Sequence, residues 1–88
     1  MKTQKDTIEV RGFMRGFEDF TVIINDQLEV ECTAELKYYM PDYATCPRVE
    51  IKKITPFFPF EKVVEIQSCI NELLHEEFVY LNKIKRAI

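Results

Sequence analysis

Tryptophan is absent from this chain of 88 residues, histidine occurs once, and glycine only twice. One histidine and three cysteines, Cys32, Cys46 and Cys69, do not make a structural zinc pattern. An odd cysteine count is read as three reduced thiols, the usual state in cytosol. No apolar run approaches the ~20 residues of a membrane span, and the N-terminal stretch lacks the apolar core of a secretory signal. These absences lead to the expectation of a cytoplasmic protein without membrane contact, metal or cofactor. A net charge of −3 supplies no long-range pull toward nucleic acid.

A hydrophobic content of 47% is that of a folded chain, and the length suits one domain spanning 1–88. Only MKTQKD, residues 1–6, reads as a frayed end. The clearest periodicity is LEVECTAELKYYM, residues 28–40, where every even position from Leu28 to Met40 is apolar. A period of two means a strand with one buried and one wet face. Pro41 ends it, because proline cannot donate to a ladder. RVEIKKI, residues 48–54, is a second strand beyond the Pro-bounded loop that holds Asp42, Tyr43 and Cys46. Antiparallel pairing of Leu36 with Ile51 and Tyr38 with Val49 places Glu35 opposite Lys52 and Lys37 opposite Glu50. It also sets Tyr39 beside Arg48 for a cation–π contact. Neighbouring registers oppose like charges, which is unfavourable.

Upstream, FTVIIN pairs Ile24 with Leu28, Val22 with Val30 and Phe20 with Cys32 through a turn at Asn25-Asp26-Gln27. TIEVR is expected to add at the far side, with Val10 opposite Phe20 and Arg11 opposite Asp19. After TPFFP the period becomes 3.6, and one helix is predicted from about Phe60 to the end, with Pro59 at its first turn. The predicted fold is α+β: a four-stranded antiparallel meander with a long C-terminal helix on one face. The helix's apolar arc, roughly 200° wide, exceeds the ~100° stripe of a surface helix. The surplus, with Glu77, Tyr80 and Ile84 in it, is expected to meet loops or a second chain. Self-association through this helix surface or an edge strand follows.

Both glycines lie in RGFMRGF, residues 11–17. The segment superficially parallels the basic-Gly-aromatic strand signature of RNA recognition motifs. Met14 and Arg15 occupy the wrong positions for it, and the element order differs. A turn explains the glycines, since they tolerate positive φ. Phe13, Met14 and Phe17 cannot all point inward from so short a loop. With Arg15 they form a candidate protein-binding tip. On the wet sheet face, Glu29 and Glu31 oppose Ile23 and Thr21 and form a second candidate contact, for a basic partner surface. Glu77 has no accompanying nucleophile or second acid, and His75 has no triad around it, so catalytic residues are not assigned.

The stretch ELKYYMPDYATCPRVEIKKI followed by one terminal helix resembles small uncharacterised bacteriophage accessory proteins over about the last sixty residues. The shared pattern is a strand, a Pro-bounded loop, a P-x-V-E-I strand and a helix. The chain departs from it in carrying cysteine and few prolines in the loop. The resemblance implies a virus-encoded protein acting in bacterial cytoplasm and implies no chemistry. The expected function is therefore non-catalytic binding of an unidentified protein partner, such as a host or defence protein. Two alternatives stand beside it. One is a nucleic-acid module using Arg11, Arg15, Lys83, Lys85 and Arg86. The other is a small-ligand protein or enzyme with an intersubunit pocket near Glu77, Tyr80 or His75.

Overall fold

The computed structural model describes residues 6–40 and 46–87, the last three of these as helix backbone only. Of the expected frayed residues 1–6, Asp6 is instead bonded to Asn25 and Lys62, and residues 1–5, like most of the Pro-bounded loop with Tyr43, lie outside the described residues. The chain forms β1 (Ile8–Arg11), β2 (Asp19–Ile24), β3 (Leu28–Tyr39), β4 (Arg48–Thr55) and α1 (Phe60–Ala87). All strand pairs are antiparallel, in the order β1-β2-β3-β4. The fold is the expected ββββα meander with one helix packed on it.

The β2–β3 hairpin has the expected register: Ile24 opposes Leu28, Val22 opposes Val30 and Phe20 opposes Cys32. Its turn holds Asn25 at φ 54° and Asp26 at φ 58°. These are left-handed values that Asn and Asp tolerate better than other side-chain-bearing residues. Between β3 and β4, Leu36–Ile51, Lys37–Glu50, Tyr38–Val49 and Tyr39–Arg48 pair as expected. Glu35 instead faces Lys53, because a register shift between Glu35 and Leu36 makes Lys52 an extra residue. Lys52 bonds Glu50 on its own strand at 3.0 Å. The cation over the Tyr39 ring is Lys37, 5.1 Å from its centroid, and not Arg48.

The β1–β2 register corrects the sequence reading. Val10 opposes Val22 and Arg11 opposes Thr21. The strand has slid by two residues, which keeps every side chain on its face and is invisible to a period-two pattern. Asn25 supplies the physical reason. Its backbone N–H donates to the Thr7 carbonyl at 2.9 Å, and its Oδ1 accepts the Thr7 N–H at 2.9 Å. Its Nδ2 donates to Asp6 Oδ1 at 3.0 Å. Arg11, expected opposite Asp19, pairs with Glu9 at 3.2 Å, and Asp19 accepts the Thr33 hydroxyl.

Val10, Phe20, Val22, Cys32, Ala34, Val49 and Ile51 line the inner sheet face and pack with Phe58, Ile66, Ile70 and Leu74. Full burial of a side chain such as Ile70 stabilises by roughly 1.5–3 kcal/mol. The even-numbered stripe of β3 is buried only at its centre; Leu28 and Met40, at its ends, are 57% and 56% exposed. Of the two central phenylalanines in PFFPF, Phe58 enters the core and Phe57 is exposed. Pro59 lies just before the helix, where its carbonyl accepts the N–H groups of Lys62 and Val63.

The helix packs chiefly on β4 and β1, the two edges of the sheet. Gln67 Oε1 accepts the Ile51 N–H at 2.9 Å. Asn71 accepts the Val49 N–H at 2.8 Å and donates to the Val49 carbonyl at 3.2 Å. Across the helix, the Cys69 thiol donates to the Ile8 carbonyl at 3.4 Å, and Lys62 pairs with Asp6 at 3.0 Å. The sheet is therefore coiled around the helix, which sits level with both edges. This accounts for much of the wide apolar arc without a second chain. It also occupies the β4 edge at Val49 and Ile51, one of the two edges through which edge-strand contact between copies could form.

Asn71→Ala leaves the edge groups of Val49 without these partners and should cost about 1–3 kcal/mol in chemical denaturation. The bonds from Asn25 and Lys62 hold Asp6 below the usual carboxylate range. A depressed pKa stabilises the fold above the unfolded value and is lost as pH falls through the folded one. Wild type should therefore exceed Asp6→Asn in stability at pH 7, and the difference should shrink as pH falls below the ordinary aspartate value of about 3.9, as read by denaturation midpoints.

Candidate functional site

Tyr39 of β3 opposes Arg48 of β4, so one end of the sheet brings together the close of β3 and the start of β4. The loop between β1 and β2 also lies there. Gly12 has φ 74° and Gly16 has φ 91°. The Phe17 N–H donates to the Met14 carbonyl at 3.0 Å, closing a turn whose third residue is Gly16. A positive φ at that place is the type II requirement that favours glycine. A Cβ at either glycine would meet no atom within 4 Å, so backbone conformation, not space, selects glycine.

Two contacts fasten the loop to β3 and its end. The Gly16 N–H donates to the Tyr38 hydroxyl at 3.1 Å, and Arg15 Nη2 reaches Met40 Sδ at 3.0 Å. Phe13 turns inward and meets Phe20 edge-on, with centroids 6.4 Å apart. That removes Phe13 from the expected exposed tip. Met14 and Phe17 remain outward, each 57% exposed, and Met40 joins them through its contact with Arg15. The tip is thus Met14, Phe17 and Met40 with Arg15 among them, on a backbone tied at Gly16. Met40 was read from the sequence as part of the buried stripe. Its position immediately before Pro41, at the close of the strand, was the available signal that it could escape burial.

Glu29 and Glu31 project from the outer sheet face opposite Ile23 and Thr21, as expected. They lie near the start of β3, about 30 Å of extended chain from Met40. The two candidate partner surfaces are therefore not brought together. The outer face is divided in charge. Around β2 stand Glu9, Asp19, Glu29 and Glu31 with Arg11; between β3 and β4 stand Glu35 and Glu50 with Lys37, Arg48, Lys52 and Lys53. Ile23 lies within the acidic half but is only 4% exposed, so that half has no apolar centre. Bonds from Lys52 and Tyr39 hold Glu50 below the usual carboxylate range.

Beyond Leu74 the helix leaves the core. Glu77 is exposed rather than buried in the arc, and Tyr80 and Ile84 are 64% and 40% exposed. Because Gln67 meets Ile51 and Asn71 meets Val49, the helix runs antiparallel to β4, and this overhang lies at the same end as the tip. His75 borders an open hollow of about 360 Å³ with Arg48, Ser68, Asn71, Glu72 and Glu76. A larger open groove of about 770 Å³ flanks β4 and the helix start, between Ile51, Ile54, Phe57, Phe60 and Val64. Neither includes Glu77 or Tyr80. Arg11 and Arg15 are engaged by Glu9 and Met40, so these two arginines of the nucleic-acid alternative already have contacts of their own.

The described cysteines are free. Burial pushes the Cys32 thiol up, against a smaller opposing bond from the Val22 backbone. Burial also pushes Cys69 up, followed by the charges of Glu72, Glu65 and Glu9. Raised thiols are poor nucleophiles at neutral pH. No described helix is long and apolar enough to cross a membrane. Comparison with known proteins finds no matching family model, no matching curated protein and no matching solved structure.

Gly16→Ala forces an L-residue into a left-handed conformation and should destabilise by about 1–2 kcal/mol in thermal or chemical unfolding. An unchanged unfolding midpoint would mean that the turn does not need its positive φ.

Proposed function

We propose that the chain is a non-catalytic protein-binding module that presents a preformed apolar tip to a protein partner. The observation that carries this reading is the outward exposure of Met14, Phe17 and Met40 on a loop whose backbone is secured to Tyr38 at Gly16 and whose Arg15 side chain reaches Met40. Methionine, phenylalanine and arginine are enriched at the centres of protein contacts. A loop held in place before binding loses less conformational entropy when a partner arrives. The acidic half of the outer face, lacking an exposed apolar centre, is a weaker anchor, and the tip takes precedence over it.

The finer reading follows the resemblance to bacteriophage accessory proteins. The partner is then a bacterial host or defence protein, met in the cytoplasm, and the module acts by occluding it while self-associated.

The test is capture from nuclease-treated bacterial lysate by the tagged chain. Met14→Ser with Phe17→Ser should reduce the captured partner at least about tenfold, in line with the loss of a contact centre. Glu29→Lys with Glu31→Lys should change it much less. Equal capture by the tip variant and wild type would overturn the reading. Loss of capture on nuclease treatment alone would favour the nucleic-acid alternative.

A further inference from the structure

The helical stripe that packs on the sheet does not stop where the sheet stops. Ile70, Leu74, Glu77, Leu81 and Ile84 follow one another at alternating spacings of four and three residues, the spacing of a helix-pairing seam. Ile70 and Leu74 are buried by the sheet. Past the start of β4 the same stripe emerges as Glu77, Leu81 and Ile84, with Tyr80 beside it, and all four are exposed. The helix is 28 residues long, about 42 Å at 1.5 Å per residue, and only its first half is matched by strand.

The charges on this overhang are sorted along the helix. Glu72, Glu76 and Glu77 precede the exposed apolar residues, and Lys83 follows them, with Lys85 and Arg86 next in the sequence. One helix therefore carries an acidic stretch and a basic stretch on either side of Tyr80. A second copy laid alongside in parallel would oppose acid to acid and base to base. Laid antiparallel, with a two-fold axis near Tyr80, it sets the acidic stretch of each copy against the basic stretch of the other. In that arrangement Glu76 lies nearly level with Lys83 of the second copy, and the two positions, seven residues apart on one helix, share the flank beside Tyr80.

We infer that the overhang is a homodimer interface: two copies pair their α1 overhangs antiparallel through Tyr80, Leu81 and Ile84, with Glu76 on the flank beside Lys83 of the second copy. The inference specifies the self-association in the proposed function and is independent of the tip's partner. A two-fold interface uses the same patch on both copies and closes at two. The two loop tips stand at the overhang end of their own copies, so dimerisation would bring two partner-binding tips into one particle.

The test is the solution mass of the full chain by light scattering across micromolar to submillimolar concentration. Wild type should approach twice the 10.5 kDa of one chain. Leu81→Glu with Ile84→Glu, both on exposed positions, should yield a folded monomer with unchanged helix content. Glu76→Lys and Lys83→Glu should each weaken the dimer by about tenfold at low salt. The double exchange should return it to within about threefold of wild type, since paired charges couple. A monomeric wild type overturns the inference, as does a double exchange no stronger than the weaker single variant. Phe17→Ser should leave the dimer mass unchanged, so failure of the tip and failure of the dimer are read separately.

Discussion

A single steric arrangement organises this molecule: the C-terminal helix lies between the two edges of a coiled sheet. Val22 of β2 and Ile66, Ile70 and Leu74 of the helix meet in one cluster with little or no exposure. At the flanks of that apolar contact, the helix meets backbone groups on both edges. Gln67 and Asn71 serve β4, and Cys69 serves β1. Unpaired edge strands template association with other chains. Here the amide side chains of the helix occupy part of one edge, so a piece of tertiary packing also protects against edge pairing.

That arrangement sets the length relation from which both candidate surfaces arise. The helix is antiparallel to β4 and outruns it. The loop between β1 and β2 is drawn over the same end by Tyr38 and Met40. One end of the molecule is therefore apolar in two places, a fastened loop and a bare helix. The opposite end carries the acidic hairpin residues Glu29 and Glu31 on a face whose isoleucine is hidden. Apolar exposure is not confined to that end: Leu28 at the β2–β3 hairpin and Phe57 and Phe60 beside the helix start are 57%, 88% and 80% exposed.

The two glycines illustrate how local conformation reaches function. Each has a positive φ, and neither is required by lack of space. Gly16 closes the turn that turns Met14 and Phe17 outward, and its own N–H is fastened to β3. The same turn lets Phe13 go inward onto Phe20. Three apolar residues in one short loop thereby divide into an anchor and a contact surface.

The sequence by itself determined the element order, the faces of β3, the β2–β3 register and the β3–β4 register from Leu36 to Tyr39, because alternation and cross-strand charge are local signals. The repeated glycines also marked the turn, since few other residues accept its φ. Tertiary structure alone decided the β1 register, because a two-residue slide preserves every face and only Asn25 distinguishes the alternatives. It alone decided that the wide helical arc meets both sheet edges, since sheet coiling depends on all four strands together. It separated Phe13 from Met14 and Phe17, and the tip from Glu29 and Glu31. Burial is settled by what lies opposite a side chain in space, which no one-dimensional period records.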